Sequence, residues 1–180
     1  MNNNNRQHAL HVLRDHVNHT HTAVHNAIID LRRNDEIGDE KILRPFMNHY
    51  DSMVVAATLY TLFKVQDQRD ALRPLIERIV TNGDEREYDD MDHPIQCTAI
   101  TLLADFGKHD SAAVASILEI AENHITPETP RKRAWQKLAE LYGMEWPLHA
   151  TEEMILRPES EASEGIRSDV RHAMAMDKSN

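Results

Sequence analysis

The sequence predicts an all-α fold, and three observations lead to that prediction. Apolar residues recur at steps of three and four along most of the chain, a spacing that places them on one face of a helix. Glycine and proline are few, with 5 and 7 residues among 180, and alanine, leucine and isoleucine dominate the apolar set. Evenly spaced short strands with turn signals between them are absent from the sequence, so an all-β fold is not expected.

The clearest pattern is a pair of helices in residues 95–125, with a tight turn between them. The apolar residues of each helix share one face; they are Ile95, Ala99, Leu102, Leu103 and Phe106, then Val114, Ile117, Leu118, Ala121 and Ile125. Gly107 can adopt the left-handed conformation that ends the first helix, and Asp110 can cap the second. Neither helix can cover its apolar face alone, so each is expected to pack on the other and on neighbouring helices.

The chain before this pair is expected to contain a disordered start and four helices. Residues 1–5 are polar and of low complexity, and are expected to be disordered. A single long helix is predicted for residues 6–33. Its apolar stripe weakens at Thr20 and His21; the stripe is Leu10, Leu13, Val17, Val24, Ile28 and Leu31. A short helix at 41–49, a strongly apolar and therefore central helix at 51–64, and an amphipathic helix at 71–81 follow.

The remaining elements are a linker, one clear helix and a weak C-terminal segment. The acidic connection 84–92 is predicted to be a solvated linker, because it lacks the glycine and the ordered spacing of a calcium loop. Thr129 is expected to cap a further helix after the central pair, and a short helix is expected at 151–156. Residues 158–180 are expected to form a weakly ordered helix or a tail. Residues 6–157 are therefore predicted to form a single domain, which suits the length of the chain.

Three segments share a pattern that suggests an internal repeat. They are AATLYTLFK from Ala56, AITLLADFG from Ala99 and AWQKLAELYG from Ala134, with starts 43 and 35 residues apart. By these residues the chain resembles HEAT and armadillo arrays over residues 51–143, since helical-hairpin repeats of roughly 40 residues are typical of them. The resemblance implies a short α-solenoid of antiparallel helical hairpins, with the long first helix as an N-terminal cap. An irregular helical bundle is the alternative fold.

The resemblance implies a non-enzymatic scaffold that binds a protein partner of unknown identity. Iron-binding hydroxylases of this class use His-Glu steps, and this sequence contains none. A net charge of −10 argues against nucleic acid as a partner. No phosphate-binding glycine loop and no nucleophile elbow is present, so an enzyme is not favoured. With no apolar run near the length of a membrane span and no signal-peptide core, a cytoplasmic protein is expected.

Histidine is the unusual residue, with 12 in the chain and six of them in residues 8–25. On a continuous helix, His21 and His25 lie one turn apart on one flank, and they are the candidate metal-ligating pair. Asp15 and His19 form a second, weaker pair. The other histidines of the segment point in scattered directions; they are His8, His11 and His16.

Three interpretations of the histidines in the first helix remain open. Imidazole suits first-row transition metals, so a metal-binding helical protein is the alternative function, with a third ligand from His49, Asp51 or His93. The favoured interpretation is that the histidines form a polar helix face and that the protein needs no cofactor. A third reading is a pH response, in which six imidazoles gain charge near pH 6 and loosen the helix.

Overall fold

The computed structural model describes residues 3–34, 38–87, 92–144 and 161–177, and in these ranges it is all-α and without strands. The α-helices are α1 (Asn3–Arg14), α2 (His21–Asn34), α3 (Glu40–Leu43), α4 (Ser52–Lys64), α5 (Arg69–Asn82), α6 (Pro94–Ala104), α7 (Ser111–Glu122), α8 (Glu128–Leu141) and α9 (Glu161–Asp177). The all-α prediction is confirmed, and the many contacts between helices are compatible with a helical repeat. The short helix expected at 151–156 lies outside the described residues. Within the described ranges, no helix combines the length and the apolarity that crossing a bilayer requires.

The chain divides into two compact units, residues 1–99 and 100–180, with the boundary inside α6. In the first unit α1 packs on α2, and α2 packs on α4. The helix predicted to be central, α4, has nine of its 13 residues buried. Large side chains fully buried in this unit include Ile28, Leu43, Leu59, Leu62, Phe63 and Ile76.

In the second unit α7 packs on α8, and α8 packs on α9. Its fully buried side chains include Ile100, Leu102, Leu103, Ile117, Ala134 and Leu138. The C-terminal segment, which is predicted to be either a weakly ordered helix or a tail, contains α9. Val170 of this helix is 0% exposed and Met174 is buried, so α9 has one apolar face covered.

The turn between α6 and α7 forms as the sequence predicts. Gly107 has φ +87°, the left-handed conformation that glycine adopts without strain. Asp110 accepts a hydrogen bond from the backbone N–H of Ala113 at 3.0 Å, and so caps α7. By contrast, α8 begins at Glu128, so Thr129 lies inside its first turn and does not cap it.

The prediction of a single long helix for residues 6–33 is wrong, and so is the prediction that this long helix forms an N-terminal cap. The first helix ends at Arg14, a 3₁₀ turn occupies His16–Asn18, and α2 begins at His21. Val17, which belonged to the predicted apolar stripe, is 80% exposed in the 3₁₀ turn. The chain therefore has two shorter helices that pack on each other in place of one long helix.

Polar side chains explain where the helix breaks. Thr20 Oγ1 accepts a hydrogen bond from the N–H of Ala23 at 3.2 Å, which caps the start of α2. Asn18 Nδ2 donates to Asp15 Oδ1 at 2.7 Å across the 3₁₀ turn. Asp, Asn and Thr side chains compete with helical backbone hydrogen bonds, and three of them within six residues favour a turn over a continuous helix.

The acidic connection before α6 is not wholly solvated, contrary to expectation. Glu87 is 1% exposed. One of its carboxylate oxygens accepts the N–H of Ile95, and the other accepts the N–H of Gln96 at 3.1 Å. Because the first N–H groups of a helix lack partners within the helix, Glu87 serves as the cap of α6. Residues 88–91 of the acidic run lie outside the described residues.

Candidate metal site

Three side chains at the break between α1 and α2 form the one group of possible metal ligands found among the described residues. They are His11, Asp15 and His19, and one ligand atom from each lies within 4.8 Å of the other two. His19 Nε2 is 4.0 Å from Asp15 Oδ2, and the His11 and His19 ring centroids are 6.3 Å apart. Ligand atoms on a tetrahedral zinc ion are roughly 3.4 Å apart, given Zn–N distances near 2.1 Å. Coordination would therefore require the three ligand atoms to approach one another more closely than they do in the structure. We call these residues the His–Asp–His cluster.

The helix break brings this cluster together. On a continuous helix, residues eight positions apart such as His11 and His19 are separated by roughly 12 Å along the axis. Because the chain leaves the helical path after Arg14, His19 returns to the side of His11. Sequence reasoning assumed a continuous helix and therefore missed His11. The weak point of the apolar stripe at Thr20 was the signal that could have revealed the break.

The cluster lies at the surface, and its carboxylate is oriented by a neighbour. The side chains of Asp15 and His19 are 44% and 29% exposed, and His11 is exposed. Asn18 Nδ2 holds Asp15 Oδ1, which leaves Oδ2 as the oxygen nearer to His19. Such outer-sphere hydrogen bonds orient metal ligands in characterised sites. Two imidazoles and one carboxylate are a donor set for divalent first-row transition metals.

A second group of histidines packs on aromatic rings nearby in the same unit. His16 meets Phe46 edge to face with ring centroids 5.1 Å apart, and its Nδ1 lies 3.2 Å from the carbonyl oxygen of Leu13. His49 stacks on Tyr50 with centroids 4.5 Å apart. These imidazoles are engaged in packing and backbone contacts, whereas the rings of His11 and His19 meet each other edge to face.

His49 has a pKa below its usual value. Burial is the largest cause, because it disfavours the charged imidazolium; the Asp51 carboxylate opposes this effect, and His16 and His21 add to it. His49 Nδ1 also accepts a hydrogen bond from the backbone N–H of Asp51 at 3.0 Å. A ring nitrogen accepts only when it carries no proton, so this hydrogen bond requires that Nδ1 be unprotonated.

The predicted metal pair, His21 and His25, lies on α2. His21 Nε2 is 3.8 Å from Asp51 Oδ2, and its ring meets that of Tyr50 edge to face. His25 is half-buried. Asp51, one of the expected third ligands, is thus close to His21. Among the described residues, however, this pair belongs to no group of three ligand atoms, and its metal role stays a prediction.

A groove of about 560 Å³ lies along α7 in the second unit. Its apolar lining includes Val114, Leu118 and Met174, with Tyr142 at the same groove. Burial, together with the Asp177 carboxylate, raises the pKa of the Tyr142 hydroxyl. We call this feature the α7 groove.

Comparisons with protein-family models, with curated proteins and with solved structures give no match for this chain. The resemblance to helical-repeat arrays therefore depends on the residues of the chain itself.

Proposed function

We propose that this protein binds a divalent first-row transition metal ion, with Zn²⁺ as the representative case, at the His–Asp–His cluster. The observation that carries the proposal is the approach of three ligand atoms to within 4.8 Å of one another. Calcium and magnesium are bound almost entirely by oxygen atoms, whereas two imidazole nitrogens favour zinc, copper, nickel or iron. The carboxylate adds the negative charge that a divalent cation requires.

The position of the cluster suggests what the ion does for the protein. His11 belongs to α1, whereas His19 directly precedes the Thr20 cap of α2. An ion bound to both would join the end of one helix to the start of the next and stabilise the break between them. A ligand that binds only the folded state raises the free energy of unfolding in proportion to the logarithm of its concentration.

Calorimetric titration of the tag-free protein with Zn²⁺ tests this function. We expect one site per chain, and we expect His11→Ala and His19→Ala each to weaken binding by at least roughly tenfold. His172→Ala, which removes an exposed histidine of α9, is the matched control and should leave binding unchanged. Zn²⁺ should also raise the Tm of the wild type but not that of His19→Ala.

Two results would contradict this assignment. Zn²⁺ affinity equal to wild type in both ligand variants would exclude the His–Asp–His cluster. A loss of affinity in His21→Ala and His25→Ala, with no loss in the cluster variants, would instead assign the metal to the pair predicted from the sequence.

A second candidate function is a protein-interaction module, which the α7 groove favours. The groove has an apolar lining and could accept apolar side chains of a partner. The repeated segments add support, because their opening alanines, Ala56, Ala99 and Ala134, are all buried. Small buried residues allow the close helix approach that stacked hairpins of a HEAT-like solenoid need.

Affinity purification with groove variants tests this second function. A partner retained in stoichiometric amount by the wild type should be lost with Leu118→Asp, because a carboxylate in the apolar lining would have to be desolvated. The same partner should be retained by His11→Ala, which leaves the groove intact. Equal recovery with Leu118→Asp and wild type would exclude the groove as the binding surface.

A further inference from the structure

One continuous face of α7 lines the α7 groove. The lining residues of this helix recur at i, i+3, i+4, i+7, i+8 and i+11; they are Ser111, Val114, Ala115, Leu118, Glu119 and Glu122. At 100° per residue, these positions fall within an arc of about 140°. The face extends from the first residue of α7 to the last, over about 17 Å at a rise of 1.5 Å per residue. The groove therefore follows the full length of one helix.

A neighbouring face of α7 is packed in the core of the second unit. The residues buried on that face are Ala113, Ile117, Ile120 and Ala121. On the groove face, by contrast, Ala115 is exposed and Leu118 is half-buried. Met174 of α9 and Tyr142, which follows α8, extend this apolar lining. The groove face of α7 is therefore accessible to a second molecule.

The charges that line the groove are mostly negative. Among the described lining residues, the carboxylates are Glu119, Glu122 and Asp177, and the one lysine or arginine is Lys108. Glu122 is paired with Arg171 at 2.9 Å. Neither Glu119 nor Asp177 forms an ion pair with a described residue. Since complementary charges steer association and set specificity, the two carboxylates favour a cationic partner.

Of the ways in which proteins bind peptide segments, an amphipathic helix in a groove fits these features. Addition of a strand needs an exposed sheet edge, and the described residues contain no strand. Polyproline segments bind grooves lined by aromatic rings. Here Tyr142 is the one phenylalanine, tyrosine or tryptophan among the described lining residues. A partner helix of about three turns would match the length of α7.

We therefore propose that the α7 groove binds a basic amphipathic helix of a partner protein. The partner helix places an apolar stripe at i, i+3, i+4 and i+7 against Val114 and Leu118. Lysine or arginine side chains beside that stripe meet Glu119 and Asp177. This inference rests on the second candidate function, the protein-interaction module, and names the class of partner.

Selection from a phage-displayed library of helical peptides tests the proposal. Each peptide has about 14 residues and a fixed leucine stripe, and the positions beside the stripe vary among lysine, glutamate and glutamine. We expect the tag-free wild type to enrich lysine over glutamate at least roughly threefold at low salt. The preference should weaken at about 0.5 M salt, where the Debye length is roughly 4 Å.

Charge-reversal variants locate the origin of the lysine preference. Glu119→Lys should enrich glutamate in place of lysine, because it reverses the charge beside the apolar lining. Glu85→Lys is the matched control: it changes the net charge equally, at an exposed residue of the first unit, and should keep the lysine preference. Leu118→Asp should weaken binding of the peptide most enriched by the wild type at least roughly tenfold. Circular dichroism of each variant checks that the helices are retained.

The outcomes separate this inference from the candidate function on which it rests. If Leu118→Asp abolishes peptide binding but Glu119→Lys and Glu85→Lys enrich the same peptides, the groove binds helices and the inference of a basic partner is wrong. If no enriched peptide depends on Leu118, the groove does not bind amphipathic helices and the inference is again wrong. In that case a natural partner lost with Leu118→Asp would still support the protein-interaction module, whereas a partner retained by that variant would contradict both.

Discussion

The backbone N–H of Asp51 donates a hydrogen bond to Nδ1 of His49 over 3.0 Å. The Asp51 carboxylate in turn accepts the N–H of Val54 at 3.0 Å, and so caps α4. Protonation of Nδ1 would replace an acceptor by a donor that faces another donor. The start of α4, the central helix of its unit, is therefore linked to a neutral His49.

The first prediction is that this link makes folding stability depend on pH. The pKa of His49 in the folded protein lies below 6.5, its ordinary value and the one expected in the unfolded chain. Between these two values the unfolded chain binds more protons than the folded protein, so stability falls as pH falls through that window. Above pH 6.5 the contribution of neutral His49 is fully present.

Urea unfolding between pH 7.5 and 5.0 measures this effect. His49→Asn keeps an acceptor oxygen that can receive the Asp51 N–H, as in an Asx turn, but it does not titrate. We expect the loss of stability below pH 6.5 to be smaller in His49→Asn than in the wild type. His172→Asn controls for the removal of an exposed histidine. Identical pH dependence in His49→Asn and wild type would show that His49 does not contribute.

The second prediction concerns the buried cap of α6. Glu87→Ala should lower the free energy of unfolding by about 2–4 kcal/mol, because it leaves the N–H groups of Ile95 and Gln96 without their carboxylate partner. Glu85→Ala removes an exposed carboxylate of the same 3₁₀ turn and should change stability by less than about 0.5 kcal/mol. Urea unfolding at pH 7 gives both values, and equal effects of the two substitutions would contradict the capping role.

These two features show what could be predicted from the sequence and what could not. The helices α4, α6 and α7 were predictable because their apolar periodicity is contained within each segment. The role of Glu87 was not, because its partners follow it by eight and nine residues. An acidic run has the composition of a solvated linker, so the sequence predicts that its carboxylates are exposed. The burial of Glu87 depends on the tertiary fold.

The candidate metal site was not predicted from the sequence, for a related reason. The hydrophobic period of residues 10–31 is nearly continuous, so it favours one helix. Competing side-chain hydrogen bonds of Asp15, Asn18 and Thr20 end that helix after Arg14. The periodicity of apolar residues carries no information about these side-chain hydrogen bonds. Consequently, the sequence identified the histidine-rich region as unusual but paired His21 with His25, and did not bring His11 and His19 together.

A third prediction tests a cap that the sequence did identify. Asp110→Ala should lower the free energy of unfolding by about 1 kcal/mol, because the N–H of Ala113 loses its acceptor. Asp110→Asn should retain most of the stability, since asparagine caps helices about as well as aspartate. Chemical unfolding of the three proteins measures the effect, and equal losses in both variants would point to the negative charge and not the hydrogen bond.

The fourth prediction concerns α9, whose attachment distinguishes a structural helix from a loose tail. Val170 is fully buried, and Arg171 beside it pairs with Glu122 of α7 at 2.9 Å and lies over the Trp135 ring of α8. If these contacts hold α9 in solution, Val170→Ala should lower the free energy of unfolding by about 2 kcal/mol, from lost apolar burial and the cavity left behind.

Ser168→Ala, an exposed change on the same helix, is the control for altered helix propensity. Tryptophan fluorescence during urea unfolding is a suitable probe, because Arg171 lies 5.3 Å from the centre of the Trp135 ring. If α9 were only loosely attached, the side chain of Val170 would already contact water in most molecules. Shortening it to alanine would then leave the free energy of unfolding unchanged. Unchanged stability in Val170→Ala would therefore mean that α9 does not pack stably in solution, whereas a loss near the expected value would make it part of the core of the second unit.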